Sequence, residues 1–145
     1  MGRYFVALLQ AGVIVGVTSV AFGVSWGDPL AAGALIAVFG LVAAGAAMLV
    51  GAWSRNADQA SSLGVFVGLA LAALGGCMIP IEFMPDTMQS FAKLIPHSWA
   101  LLGLQSLVRD GGGIESVATN IAVLAGFAVV LMGLAAWRFR RAIVA

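Results

Sequence analysis

Apolar positions in this chain run on without interruption, rather than recurring every second residue or every third and fourth as they do when a strand or helix is half buried against a core. Tyr4–Val24, Leu30–Trp53 and Val117–Trp137 contain no acidic or basic residue. Each reaches the roughly 20 residues needed to cross a hydrocarbon core. A fourth run, Ala60–Ile81, has the same character after a polar start at Ser61 and Ser62. Polar punctuation separates them: Ser25-Trp26-Gly27-Asp28-Pro29 is a turn cluster, with Trp26 suited to the headgroup layer. Ser54–Gln59 is a short polar loop. Gly111-Gly112-Gly113 breaks the chain before the last run, where Glu115 and Ser116 mark a helix start.

The stretch from Glu82 to Asp110 fits neither a span nor a simple loop, because connections longer than about 12–15 residues usually carry structure or function of their own. Pro85 to Gln89 predicts a helix start, with Asp86 as N-cap and Gln89 completing a capping box. Met88, Phe91, Ala92 and Ile95 then form one apolar face, and Pro96 ends the helix by pushing Ile95 out of the α region. A second apolar piece, Ser98–Val108, would be only about 17 Å long as a helix, too short to cross. Both pieces are expected to lie at the outer interface or to dip in and return. The predicted class is therefore all-α: a single polytopic membrane domain over residues 1–145, with four transmembrane helices and a short outer re-entrant or interfacial hairpin over about 85–110.

Composition strengthens this reading. Of the 145 residues, 62% are hydrophobic and 9% charged, against about 25% charged in a soluble domain; so little charge cannot cover a water-facing surface. The net charge of +1 gives no reason to expect nucleic acid as a partner. Its distribution matters more. With the N-terminus cytoplasmic, Arg3, Arg55, Arg138, Arg140 and Arg141 lie inside with one acid, Asp58. Asp28, Glu82, Asp86, Asp110 and Glu115 then lie outside with Lys93 and Arg109. The positive-inside rule selects that orientation, with both termini cytoplasmic in a plasma membrane.

Candidate chemistry is sparse. Cys77 is alone, which excludes an intramolecular disulfide, and it reads as a small packing residue. His97 has no second ligand beside it, so no metal site is expected. Glu82, at the membrane boundary, is either a water-facing carboxylate or a sensor of protons or substrate. Gln10, Thr18, Thr119 and Asn120 are suited to interhelical hydrogen bonds. Gly12/Gly16, Gly23/Gly27 and Gly64/Gly68 have the spacing that lets helices approach closely, although 19 glycines make such matches frequent by chance. No phosphate-binding loop precedes the only lysine, Lys93. The chain is therefore expected to be no enzyme and to carry no cofactor.

Gly75-Gly76-Cys77-Met78-Ile79-Pro80 loosens the third run, through the backbone freedom of glycine and the hydrogen bond that proline lacks. Next come Pro80, Glu82 and Pro85 in a P-x-E-x-x-P step, an amphipathic segment, then Pro96, Ser98 and Ala100 in a second step, and a last span with a basic tail. This order resembles the C-terminal part of type-2 ABC exporter permeases. The resemblance implies a permease subunit that forms a translocation path with a second copy and is powered by a separate ABC ATPase, which would bind ATP and Mg. It implies hinge and gate roles for Gly75, Gly76, Pro80, Glu82, Pro85 and Pro96, and an ATPase-facing loop at Arg55 and Asp58. Family members usually have six spans, so the four here correspond to the last four, with the first two expected to be lacking. Two other readings remain open: a small non-transporting interaction or assembly protein, and a four-helix multidrug proton antiporter.

Overall fold

The computed structural model describes residues 2–144, with side chains from 4 to 141; Arg3, one of the arginines used for orientation, lies outside the described side chains. Helix accounts for 83% of the chain and no strand occurs among the described residues, which settles the all-α class. Six α-helices follow in order: α1 Gly2–Phe22, α2 Pro29–Trp53, α3 Ala57–Leu74, α4 Asp86–Ala92, α5 Pro96–Asp110 and α6 Ile114–Val144. Four of them, α1, α2, α3 and α6, are long and apolar enough to cross a membrane.

The centre of the fold is the pair α2 and α6, which run parallel. Asp28, the N-cap of α2, lies beside Gly113 at the start of α6, and further along Gly45 lies against Leu131 and Met132. Between these points Leu35, Val42, Val117, Leu124 and Ala128 are buried together. Lipid tails are as apolar as these side chains, so association inside a membrane depends on close packing rather than on hydrophobic transfer. Gly45 supplies it: a Cβ there would sit 3.1 Å from the Leu131 Cβ and 3.2 Å from the Met132 Cγ. The start of α2 is set locally, since the Asp28 carboxylate accepts from the Leu30 N–H at 2.8 Å and Pro29 occupies the first turn.

The other two long helices flank α2. Tyr4 of α1 donates its hydroxyl to the Ala37 carbonyl and lays its ring on Gly40. At the far end of α1 the Trp26 indole donates to Thr18 Oγ1 at 3.2 Å. Neither α1 nor α3 has a buried window within the chain. Gly12, Gly16, Gly64 and Gly68 face open space, and Gly23 and Gly27 lie in the turn between α1 and α2 instead of on a helix face.

Three expectations for the irregular stretch need correction. The third span ends at Leu74, seven residues before the predicted limit at Ile81. Cys77 consequently falls in a turn and is exposed, not packed. The capping box is absent: the N-cap of α4 is Pro85, without a side-chain cap, and Gln89 donates instead to the Met84 carbonyl at 2.9 Å. Because Pro85 already has its carbonyl in place for Gln89 N, the helix starts one residue early and Asp86 is within it. On the predicted apolar face, Ala92 and Ile95 are buried, whereas Met88 and Phe91 are exposed.

Replacing Gly45 by valine should destabilise the fold by about 1–3 kcal/mol through overpacking. Gly51→Val on the same helix, where nothing lies within 4 Å, should leave the thermal midpoint in detergent within a degree or two.

Candidate functional site

The six predicted hinge residues lie along one continuous stretch, from the end of α3 to the helical hairpin made by α4 and α5. Its entry is a Schellman-type stop to α3. Gly76 adopts φ +93°, the Cys77 N–H donates to the Ala72 carbonyl at 2.9 Å, and the Gly76 N–H donates to the Ala73 carbonyl. Positive φ strains any residue with a Cβ, and a Cβ on Gly76 would also run into the Ile81 side chain. Gly75 is needed for space: its Cβ would stand 2.7 Å from the Cβ of His97. The two glycines therefore let the end of α3 rest directly on the start of α5.

The prolines divide the path that follows. Pro80 precedes a single 3-10 turn, Ile81–Phe83, and Pro85 with ψ 150° redirects the chain into α4. Pro96 opens α5 at its first turn, with Ile95 extended at φ −109° and ψ 126°. Glu82 and Arg109 meet at 3.4 Å, tying the beginning of the segment to its end. Both side chains are more than half exposed, so the pair contributes at most about 1 kcal/mol.

The hairpin turn, Lys93 to Ile95, is closed by side chains of α5. Ser98, which is buried, donates its hydroxyl to the Ile95 carbonyl at 2.7 Å and contacts the Ala92 carbonyl. The Trp99 indole donates to the Lys93 carbonyl at 2.8 Å, and the Trp99 carbonyl accepts from Asn120 of α6 at 2.8 Å. These bonds satisfy backbone groups that a turn leaves open. The Glu82–Asp110 segment thus runs down beside α2 and returns toward the turn between α1 and α2.

Its depth can be read along α2. The His97 ring packs edge-on against Phe39 at 5.2 Å, a Cβ on Gly103 would touch Leu35, and the Leu107 carbonyl lies beside Gly27. α5 therefore climbs antiparallel to α2 from the level of Phe39 to that of Gly27. Phe39 is ten residues into α2, or about 15 Å from its start. Lys93, grouped in sequence with the outer charges, lies at the turn of the hairpin, exposed and without an ion pair among the described residues. Sequence reasoning missed it because the depth of a residue in a re-entrant segment depends on where the hairpin turns.

His97 is partly enclosed, and its Nδ1 is shielded without a hydrogen-bond partner among the described residues. Burial holds the imidazole below its usual value of 6.5. Glu82, exposed and opposite Arg109 at the rim, is not the embedded carboxylate that a proton antiporter requires. Arg55 and Asp58 lie far from the hairpin, Arg55 in the turn joining α2 to α3 and Asp58 in the first turn of α3. There the Asn56 side chain caps the Gln59 N–H and the Gln59 side chain accepts from the Arg55 N–H, each at 2.8 Å. At the same end of the bundle, Arg141 stacks over the Trp137 ring at 4.5 Å.

Residues 1–137 match the family described as ABC-2 family transporter protein. The chain belongs to this family, and it is a multi-pass membrane component of a transporter. Among curated relatives it is similar to the linearmycin resistance permease protein LnrN of Bacillus subtilis (strain 168), 28% identical over 88% of this chain and 33% of the relative. It is also similar to nodulation protein J of Bradyrhizobium diazoefficiens, 32% identical over 90% of this chain and 50% of the relative. Nodulation protein J of Sinorhizobium fredii is likewise 32% identical, over 84% and 47%. The chain thus spans a third to a half of the length of these relatives. No solved structure matches it.

Two outcomes check this site. Gly76→Ala should lower stability by about 1–2 kcal/mol and speed maleimide labelling of Cys77, which neighbours the stop. Because the neutral His97 is the form the fold favours, its contribution is present above pH 6.5 and lost as pH falls from there through the depressed value. Thermal stability should therefore drop between about pH 7 and pH 5 in the parent, and drop less in His97→Asn.

Proposed function

We propose that this chain forms the permease part of an ATP-driven ABC exporter, building a translocation path with a second copy and driven by a separate ABC ATPase. Family membership supports the partnership with an ATPase. The observation that carries the reading is the hairpin: a structure that stops α3 at Gly75 and Gly76, turns at the level of Phe39 and returns to the rim suits a gate on one face of a path. In this reading Gly75, Gly76, Pro80, Pro85 and Pro96 are the bends that let α4 and α5 move as a unit against α3, and Glu82 ties the rim to Arg109. The arginine-bearing end, with Arg55 in its short turn and Asp58 at the start of α3, faces the cytoplasm and the ATPase. The membrane is the plasma membrane, and the hairpin lies on its outer side. ATP and Mg belong to the ATPase. The relatives' names, one a resistance permease, favour outward movement of a compound, and leave its identity open.

Purification of the tagged permease from its native membrane should recover an ABC ATPase subunit. The double variant Arg55→Glu, Asp58→Arg should weaken that association about tenfold, as like charges meet across the contact. Recovery of the folded permease with no ATPase would remove this reading.

A further inference from the structure

The depth of Lys93 has a consequence for what passes along the hairpin. Its carbonyl is fixed by the Trp99 indole, two residues beyond the His97 that packs on Phe39. That level is about 15 Å from the start of α2, or half of a hydrocarbon core of about 30 Å. The four-carbon stem of lysine reaches roughly 6 Å, too little to bring the ammonium to either headgroup layer. A charge facing lipid at this depth is costly, and such residues almost always face a bundle interior or a water-filled cavity. Yet Lys93 is exposed within the chain, and no carboxylate of the described residues lies within 4 Å of its ammonium. A second copy offers none at that level either. Five of the six acids, Asp28, Glu82, Asp86, Asp110 and Glu115, belong to turns and helix ends on the Trp26 side of Lys93, and Asp58 belongs to the opposite end.

We infer that Lys93 projects into the translocation path and binds an anionic group, such as a phosphate, carboxylate or sulfonate, of the transported molecule. The proposal rests on the permease reading and adds the charge class of the substrate. The hairpin turn is suited to the task. Carbonyls of the turn are taken by Ser98 and Trp99, which leaves the Lys93 ammonium free to bind a ligand. An ammonium is a compact point charge with three donors, able to hold an anion and release it without the two-point geometry of a guanidinium.

The test uses a single thiol beside Lys93, in the permease in its native membrane with Cys77→Ser. Ser90 is three residues before Lys93, which continues the helical backbone of α4 at φ −63° and ψ −17°, so the two side chains share a face. In Ser90→Cys, rates of modification are measured with a sulfonate-bearing and a trimethylammonium-bearing methanethiosulfonate, both water-soluble. The expected result is reaction with both, and a sulfonate-to-ammonium rate ratio about tenfold higher than in the same variant carrying Lys93→Gln. Lys93→Arg should keep the ratio high. Reaction only with membrane-permeant N-ethylmaleimide would place this face against lipid or packed protein and overturn the proposal. An unchanged ratio in Lys93→Gln would overturn it as well. If the ratio shifts as expected but no ATPase co-purifies, the anion site stands and the permease reading fails.

Discussion

A backbone in hydrocarbon has no water to bond with, and each polar group left open there costs several kcal/mol. Everything unusual in this chain depends on how that constraint is met between Leu74 and Pro96. α3 stops partway, and the chain crosses its most exposed backbone in a Schellman turn whose N–H groups return to Ala72 and Ala73. At the bottom of the hairpin, Ser98 and Trp99 take the carbonyls of Ala92, Lys93 and Ile95. Asn120 of α6 then takes the carbonyl of Trp99. A segment with these bonds can turn at the level of Phe39; without them it would be driven to the rim.

The packing of α5 against α2 and α6 completes the same solution. Ala100, Gly103 and Leu107 are buried against them, and small side chains at the first two positions let the short helix lie close to both long ones. α2 and α6 in turn need Gly45 to approach each other. Close contact at these glycines, rather than bulk apolarity, distinguishes the interior of this bundle from the lipid around it. Helices α1 and α3 leave most of their apolar surface outside the chain, as a permease that assembles with further helices would.

Much of this was legible in the amino-acid pattern, because length and apolarity are additive along the chain. The four long helices and the short non-crossing pieces follow from runs such as Leu30–Trp53 and from Pro96. The bends at Gly75 and Gly76 were legible too, since paired glycines before a proline loosen a helix; Gly76 takes the positive φ and Gly75 the close approach of His97. Depth was not. Lys93 sits between Phe91-Ala92 and Leu94-Ile95 in a short segment that sequence alone does not place in depth, and only the register of His97 on Phe39 and Gly103 on Leu35 reveals that it lies at the hairpin turn. Ser98 reads as an ordinary helix-start serine until its two carbonyl partners are known. The Asp86 cap failed for a local reason, because Pro85 already occupies the capping position.

The central claim is that the hairpin turn reaches the middle of the membrane. Nitroxide labels at Leu94 and at Leu30, each in a Cys77→Ser background and in bilayers, allow depth to be measured from relative accessibility to oxygen and to a water-soluble nickel complex. Both positions are exposed within the chain. The account predicts that the label at Leu94 lies deeper than that at Leu30 by about 10 Å or more, the rise of the α2 residues between Leu30 and Phe39. Equal depths for the two labels would put the hairpin at the interface and contradict it.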